Sequence, residues 1–500
     1  MLTVIRTAIV HQPTRMISTH SSPHFETIKQ KLKALLKTKF FFEEGQIEIL
    51  DTPTNFYNTL KSKISLAERR IFIASLYLGK SENELIQCIS EAMRRNDKLK
   101  VYFLIDGLRG TRESPSLCSA TLLAQLDKNF GDRVDCRVYK TPKFIGWKKS
   151  LIPRRFNEGI GLQHMKIYGF DDDVLMSGAN LSNDYFTNRQ DRYYLFKKAP
   201  FFANYYFKLH QLISSISYQV KYSSQDSSKF NLLWPKSNLT IKPTLLTKRR
   251  FLQDTSAKLA KFLHEPPSQD TTQLLTKDES EYPTVVYPIS QFTPLFPKHF
   301  DLSTEKPTML TLLKSKKYPI NWVFTAGYFN IHADLKQMLL TTPTNHSTVI
   351  TASSHANGFY QSKGPSGMLP DAYTYLSYKF LKSVPSNQGI TLREWKNGIV
   401  TEANGWSYHA KGVWLLNDDL IPYCTVIGSS NYTRRSYSLD LESNCVILSD
   451  DNELRRSMRG ELDKLLSHTE EVTVKDFENE DDRHVSWKVK LATGIFGKRL

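Results

Sequence analysis

The chemistry-bearing residues of this chain fall into two matching sets. The first runs His164-Met165-Lys166, then Ser177-Gly178-Ala179-Asn180, then Asp191; the second runs His409-Ala410-Lys411, then Gly428-Ser429-Ser430-Asn431, then Glu442. In both, the acid follows the asparagine by eleven residues. On a strand, the His and Lys of His-x-Lys share a face, because residues i and i+2 point the same way. An imidazole beside an ammonium suits a phosphate. The lysine neutralises non-bridging oxygens, and the imidazole supplies a nucleophile or a proton near neutral pH. With two histidines, one can attack phosphorus while the other protonates the leaving oxygen and later deprotonates the incoming alcohol. Asn180 and Asn431 would add neutral donors. Asp191 and Glu442 would each accept from an imidazole N–H and fix its orientation. A lone His-x-Lys is more often a surface strand pair; its repetition with the same Asn and acid makes the chemical reading the stronger one.

Strands and helices must hold these sets in place. Residues 71–79 and 101–106 read as buried strands around a helical pattern at 82–93, and 322–329 and 348–352 repeat that order around 333–340. Strand, helix, strand predicts parallel pairing with helices outside. The chain therefore reads as a diverged duplication. Residues 26–221 form a first half, 222–300 a Ser-, Thr-, Lys- and Pro-rich connector, and 301–500 a second half with a charged helical segment at 452–468. The His-to-Asn interval is longer in the second copy, which a longer hairpin loop at 417–422 would supply. Within the connector, 249–263 is basic and amphipathic. It reads as a surface helix, with membrane docking as the alternative.

The chain has 500 residues, 40 % hydrophobic and 23 % charged, a composition that excludes wholesale disorder and collagen-like sequence. No run of about 18 apolar residues predicts a transmembrane helix. A net charge of +17 points either to a solvated basic surface or to an anionic partner: nucleic acid, anionic lipid or a phosphorylated substrate. Five cysteines without Cys-x-x-Cys argue against a disulfide framework or zinc site and for a reducing compartment. Residues 1–25 contain Arg6 and Arg15, no acid and seven Ser or Thr. That is the pattern of a mitochondrial presequence; a disordered tail is the alternative.

The paired sets resemble the motif of the phospholipase D superfamily, His-x-Lys-x4-Asp followed by Gly-Ser-x-Asn. The first copy matches at His164, Lys166 and Asp171, with Ser177-Gly178 in reversed order. The second carries Leu416 where the Asp would stand, and Asp418 is the nearby candidate to replace it. Segments 106–112, 178–192, 356–367 and 406–412 further resemble the family of eukaryotic mitochondrial CDP-diacylglycerol–glycerol-3-phosphate 3-phosphatidyltransferases, over about residues 40 to 450. The resemblance implies an α/β, phospholipase D-like fold: two pseudo-symmetric α/β/α sandwich halves with mixed, largely parallel sheets and one shared active site. It implies transfer of a phosphatidyl group from CDP-diacylglycerol to sn-glycerol 3-phosphate, giving phosphatidylglycerophosphate and CMP, the committed step toward cardiolipin. The implied route is a phosphatidyl-histidine on His164, with His409 as acid and base and with no metal or cofactor.

The dianionic acceptor calls for more cations than the two lysines. Arg109, Arg112, Arg189 and Lys363 are the candidates, with Arg434 nearby and Ser429 as a further substrate contact. Gly358, Gly364 and Gly367 with Ser362 and Ser366 offer a backbone N–H cradle. The expected setting is peripheral, on the anionic matrix face of the inner mitochondrial membrane, weakened by salt and with no nucleic-acid partner. Two rivals keep the fold and change the acceptor, to serine as in bacterial phosphatidylserine synthases or to water as in phospholipases and nucleases. A non-catalytic scaffold that binds anionic lipid or RNA is the remaining alternative.

Overall fold

A computed structural model of the chain describes residues 23–146, 157–265, 277–315, 318–480 and 483–497. Residues 1–22, which hold most of the expected presequence, lie outside the described residues. Helix Pro23–Leu35 begins at once and packs with the second half, through Phe25, Ile28 and Leu32.

Two nine-stranded sheets dominate. The first runs, in spatial order, Phe230–Leu233, Tyr218–Tyr222, Val134–Tyr139, Lys100–Asp106, Arg70–Ser75, Ile167–Phe170, Asp173–Ser177, Tyr193–Phe196, Ile47–Leu50. The second runs Thr469–Val472, Ile390–Trp395, Ser347–Ala352, Asn321–Ala326, Lys411–Leu416, Pro422–Gly428, Glu442–Ser449, Thr284–Gln291, Phe40–Phe42. Eight strands match in order and direction, from Tyr218–Tyr222 to Ile47–Leu50 and from Thr469–Val472 to Thr284–Gln291. The duplication is thus a complete α/β unit written twice.

Parallel pairing joins only three strands per sheet: Arg70–Ser75, Lys100–Asp106 and Val134–Tyr139, and their counterparts Asn321–Ala326, Ser347–Ala352 and Ile390–Trp395. The sheets are mixed, as expected, but parallel pairing is confined to these three strands and the flanks are antiparallel. Helical crossovers such as Asn83–Arg95 and Ala333–Thr341 permit parallel neighbours, whereas the strands after each His-x-Lys return through short turns and must pair antiparallel.

The half boundaries also move. Strand Phe230–Leu233 extends the first sheet, and Thr284–Gln291, all eight residues buried, is the opening strand of the second unit. The expected connector over 222–300 therefore shrinks at both ends. Helix Lys248–His264 lies within it, but its apolar face is occupied: Phe251, Leu259 and Leu263 are in the central core, and Phe262 stacks on Tyr205 at 4.8 Å. It is a surface helix docked on the protein.

Local sequence signals account for the outer helices. Thr52 caps helix Pro53–Leu66 by accepting from Asn55 N at 3.0 Å, and Pro53 at its start has no N–H to satisfy. Leu85, Ile86, Ile89 and Met93 form the buried face of Asn83–Arg95. Between the two sheets the core is continuous. Phe72, Met176 and Phe202 of one half pack in the same cluster as Trp414, Ile447 and Met458 of the other. That shared core fixes how the two His-x-Lys segments face each other.

Candidate active site

Each histidine stands at the mouth of its hairpin, and its backbone is pinned by the opposite half. His164 N donates to Leu441 O at 2.9 Å, and His409 N donates to Gln190 O at 2.8 Å. Leu441 and Gln190 each immediately precede the acid of their half. The crossing continues in the side chains. His164 Nδ1 lies 3.0 and 3.1 Å from the carboxylate oxygens of Glu442, and His409 Nδ1 lies 2.6 Å from Asp191 Oδ2. Each acid therefore orients the other half's imidazole. Its hydrogen bond at Nδ1 leaves Nε2 for chemistry.

Lys166 and Lys411 are buried beside them. Lys166 Nζ donates to His164 O at 2.8 Å and Lys411 Nζ to His409 O at 2.6 Å, with Lys411 also 3.3 Å from Asp191 Oδ2. Burial pushes Lys166 down to about 7 and also lowers Lys411. Both imidazoles are held well below the ordinary histidine range by burial and by the adjacent lysine. The two acids differ. Burial raises Glu442 to about 7, whereas Asp191 ends below the usual carboxylate range because Lys411 and His409 outweigh its burial. A side chain at residue 178 would crowd Lys411 Nζ and come within 2.6 Å of Asp191, so Gly178 in its reversed Ser-Gly order makes room for the pair.

His164 and His409 open into one cavity of about 370 Å³. Asn180 and Asn431 line it, and each leaves its amide oxygen buried without a hydrogen bond among the described residues; rotating the amide presents its N–H2 instead. Arg109, Arg112 and Arg189 line it too. Arg109 lies 4.1 Å from the Tyr77 ring centroid, Arg112 pairs bidentately with Glu158, and Arg189 lies 3.1 Å from Asp184 and donates to Ser407 Oγ at 2.9 Å.

Other expected site residues lie elsewhere. Lys363 and Arg434 are exposed and outside the cavity wall, and of the three cradle glycines only Gly358 lines it. Ser429 Oγ donates to Glu442 Oε2 at 2.5 Å, so it holds the acid rather than a substrate. Asp171 sits at the far end of strand Ile167–Phe170, at the hairpin turn with φ 51°. There it accepts from the backbone N–H groups of Glu68, Arg69 and Arg70 at 2.8 to 2.9 Å. Its place is structural, not catalytic. Leu416 is buried in strand Lys411–Leu416, and Asp418 is exposed on the following turn rather than taking Asp171's role.

Several cavity residues were not read from the sequence. Tyr185 Oη lies 3.2 Å from His409 Nε2 and accepts from Asn180 Nδ2 at 3.0 Å; Tyr328 sets its ring edge-on to His409. Arg435, paired with Asp440 at 2.8 Å, takes the place expected of Arg434. Behind the wall, Asp106 accepts from Gln163 N at 2.9 Å and from Leu108 and Arg109 N at 2.8 Å, which fixes the residue before His164. Aligning the two copies between asparagine and acid carries a signal for one of these. Tyr185 and Ser436 both stand five residues after their asparagine, and Ser436 also lines the cavity.

No protein-family model matches the chain. Individual relatives do. It is 57 % identical over 495 residues to a CDP-diacylglycerol–glycerol-3-phosphate 3-phosphatidyltransferase of Saccharomyces pastorianus, covering 96 % of this chain and 93 % of that protein. The chain belongs to the CDP-diacylglycerol–glycerol-3-phosphate 3-phosphatidyltransferase family. The human mitochondrial member is 30 % identical over 482 residues, covering 92 % of this chain and 84 % of its own. The chain's fold is similar to that of the crystal structure of a phosphatidylserine synthase from Haemophilus influenzae, with a TM-score of 0.68 at 20 % identity over 95 % of this chain and 97 % of that one. The expected two-half α/β class holds, with the sheet correction above. Among the described residues no helix is long and apolar enough to cross a membrane.

Proposed function

We propose that the chain transfers the phosphatidyl group of CDP-diacylglycerol to sn-glycerol 3-phosphate by double displacement at this cavity. The observation that carries the reading is the pair of imidazoles, each oriented at Nδ1 by an acid of the other half and both opening into one space. His164, neutral, attacks the phosphorus that bears the diacylglycerol. The bond to CMP breaks, and His409, which enters this step protonated at Nε2, gives that proton to the leaving oxygen. A phosphatidyl-histidine remains. His409 then takes the proton of the glycerol 3-phosphate hydroxyl as that oxygen attacks phosphorus, the P–N bond breaks, and His164 is restored.

The contrast between the acids supports this division of labour. Ionised Asp191 opposes the burial and the Lys411 charge that lower His409, and so supports the proton His409 must carry into the first step, whereas Glu442, raised to about 7, leaves His164 closer to its neutral, nucleophilic form. Lys166, Lys411, Asn180 and Asn431 are positioned to neutralise and bind the phosphate oxygens. Burial of both lysines makes their charge more effective than in water.

The setting proposed is peripheral, at the matrix face of the inner mitochondrial membrane. Supporting it are the net charge of +17 and the naming of human, mouse and chicken relatives as mitochondrial.

Radiolabelled CDP-diacylglycerol tests the mechanism. His409→Ala is expected to retain label on the chain as an acid-labile phosphoramidate, and His164→Ala to retain none. Label held by His164→Ala would reverse the two roles. Supplying glycerol 3-phosphate or serine and identifying the lipid made decides the acceptor. Phosphatidylserine as the main product would overturn the reading.

A further inference from the structure

Helix Trp487–Phe496 carries an apolar row that the described chain leaves uncovered. Trp487, Leu491 and Ile495 are spaced i, i+4, i+8 and are 69 %, 57 % and 62 % exposed. The opposite side is accounted for, because Val485 and Val489 pack on Ala372, with Tyr375 against them. Three large apolar side chains aligned on one face are the surface signature of an interaction site.

Its position ties that row to the catalytic cavity. The helix packs on Leu369–Leu381, which contributes Leu369 and Tyr373 to the cavity wall. At its other end Gly497 O accepts from Asn330 Nδ2 at 2.6 Å, two residues beyond Tyr328, which also lines the wall. Met368, next to Leu369, is 40 % exposed. The helix itself carries charge of one sign. Its charged residues are Lys488 and Lys490, both exposed beside the apolar row, while Arg483 just before it is paired with Glu394 and Glu480 at 2.9 Å.

We infer that helix Trp487–Phe496 docks the enzyme on an anionic bilayer, with Trp487, Leu491 and Ile495 below the headgroups and the lysines among their phosphates. This rests on the proposed function, in which a donor with two acyl chains must enter the cavity from a membrane. An interfacial helix of this kind sinks its apolar face about 5–10 Å into the headgroup boundary and gains further from anionic lipid. Docked so, it holds the cavity wall formed by Leu369 and Tyr373 near the lipid surface.

The test uses the full chain with two assays. The first is flotation with vesicles of phosphatidylcholine, with and without phosphatidylglycerol. The second is transferase activity in detergent micelles containing CDP-diacylglycerol. The wild-type chain is expected to float with the anionic vesicles. Leu491→Ser/Ile495→Ser is expected to lose at least tenfold in vesicle binding and to keep its micellar activity. Lys488→Gln/Lys490→Gln, a milder pair, is expected to lose binding only to the anionic vesicles. A blue shift of tryptophan emission on vesicle addition is expected to vanish in Trp487→Ser.

Unchanged flotation of Leu491→Ser/Ile495→Ser overturns the inference. So does loss of micellar activity in that variant at unchanged thermal stability, which would put the row in catalysis. A dimer in sedimentation that the same variant abolishes, with vesicle binding intact, would assign the face to a second copy instead. Vesicle binding by a wild-type chain inactive in micelles would sink the proposed function and leave the docking helix standing.

Discussion

His164 Nδ1 lies 3.0 Å from Glu442 Oε2, although Glu442 is 278 residues further along the chain. The mirror contact, His409 to Asp191, crosses in the opposite sense at 2.6 Å. Neither half can therefore orient its own imidazole, and one cooperative two-half unit is needed for a single turnover. The two acids are not equivalent, since Asp191 is held ionised while burial lifts Glu442 to about 7. Asp191→Asn should cost about 10²- to 10⁴-fold in turnover, the range of a lost acid–base group. Glu442→Gln should cost less, because an uncharged partner already resembles part of its native population. Quenched-flow labelling of the chain against steady-state turnover checks the ordering. Equal losses in the two variants would contradict it.

Lys166 should set the alkaline side of the pH profile. Its charge is present below its folded value of about 7 and is lost as pH rises through it. His164, depressed well below the ordinary histidine value, stays neutral and nucleophilic into mildly acid solution. The kcat/KM for CDP-diacylglycerol, which reports the free enzyme, should therefore hold through mildly acid pH and fall above about pH 7. Lys166→Arg should move that fall to higher pH, at lower overall activity. Glu442→Gln should move it lower, because the Glu442 charge supports the charge on Lys166. A fall at the same pH in all three enzymes would remove Lys166 from the profile.

Among the cavity arginines, Arg189 is the one whose charge bears on His409. It is held by Ser407 and Asp184 and lies 4.6 Å from the Tyr185 ring centroid. Leaving CMP and entering glycerol 3-phosphate both present a phosphomonoester on that side. Arg189→Lys should raise the KM for glycerol 3-phosphate by about ten- to a hundredfold, the scale of a lost charge-assisted bidentate contact. Labelling of the chain from CDP-diacylglycerol should change less. A Cβ at Gly358 would lie 3.2 Å from Arg189 Nη2, so Gly358→Ala should move the same constant in the same direction by a smaller factor. A KM for glycerol 3-phosphate that stays fixed in both variants would place the acceptor elsewhere.

The histidines, lysines, asparagines and acids were legible because duplication repeats their spacing, and repetition survives where single motifs are weak. What the spacing could not carry was the exchange of partners. Sequence offsets describe one copy at a time, whereas Glu442 serves His164 and Asp191 serves His409. Ser429 looked like a ligand contact because no offset shows that its hydroxyl is taken up by the acid thirteen residues on, in its own half. The strand Thr284–Gln291 was hidden by Pro288. A proline is tolerated there because the neighbouring strand Phe40–Phe42 pairs only with Thr284 to Val286, so its missing N–H interrupts no ladder on that side. Asp171 was legible as a motif residue, but the groups it braces were not. Its three backbone contacts lie about one hundred residues upstream, where no local pattern announces them.

Arg192 of the first half is fully buried in contact with the second. Its guanidinium bonds Glu461 at 2.8 and 3.0 Å, Val426 O at 2.8 Å and Thr425 Oγ1 at 2.8 Å, and its centre lies 3.8 Å from the Trp414 ring centroid. Its own backbone N–H holds Asp191 Oδ1 at 2.9 Å, so the clamp between halves abuts the acid that orients His409. Removing one partner of such a buried pair leaves an uncompensated charge. Arg192→Ala should therefore destabilise the fold by about 3–5 kcal/mol, measured as a lower midpoint of chemical denaturation. Arg192→Leu/Glu461→Leu should recover a large part of that loss, because well-packed apolar groups can replace a buried ion pair at little cost. Catalysis should not recover with it, since the shared placement of Asp191 and Lys411 depends on the clamp. If the double variant regained both stability and full turnover, the clamp would be a packing element with no hold on the site.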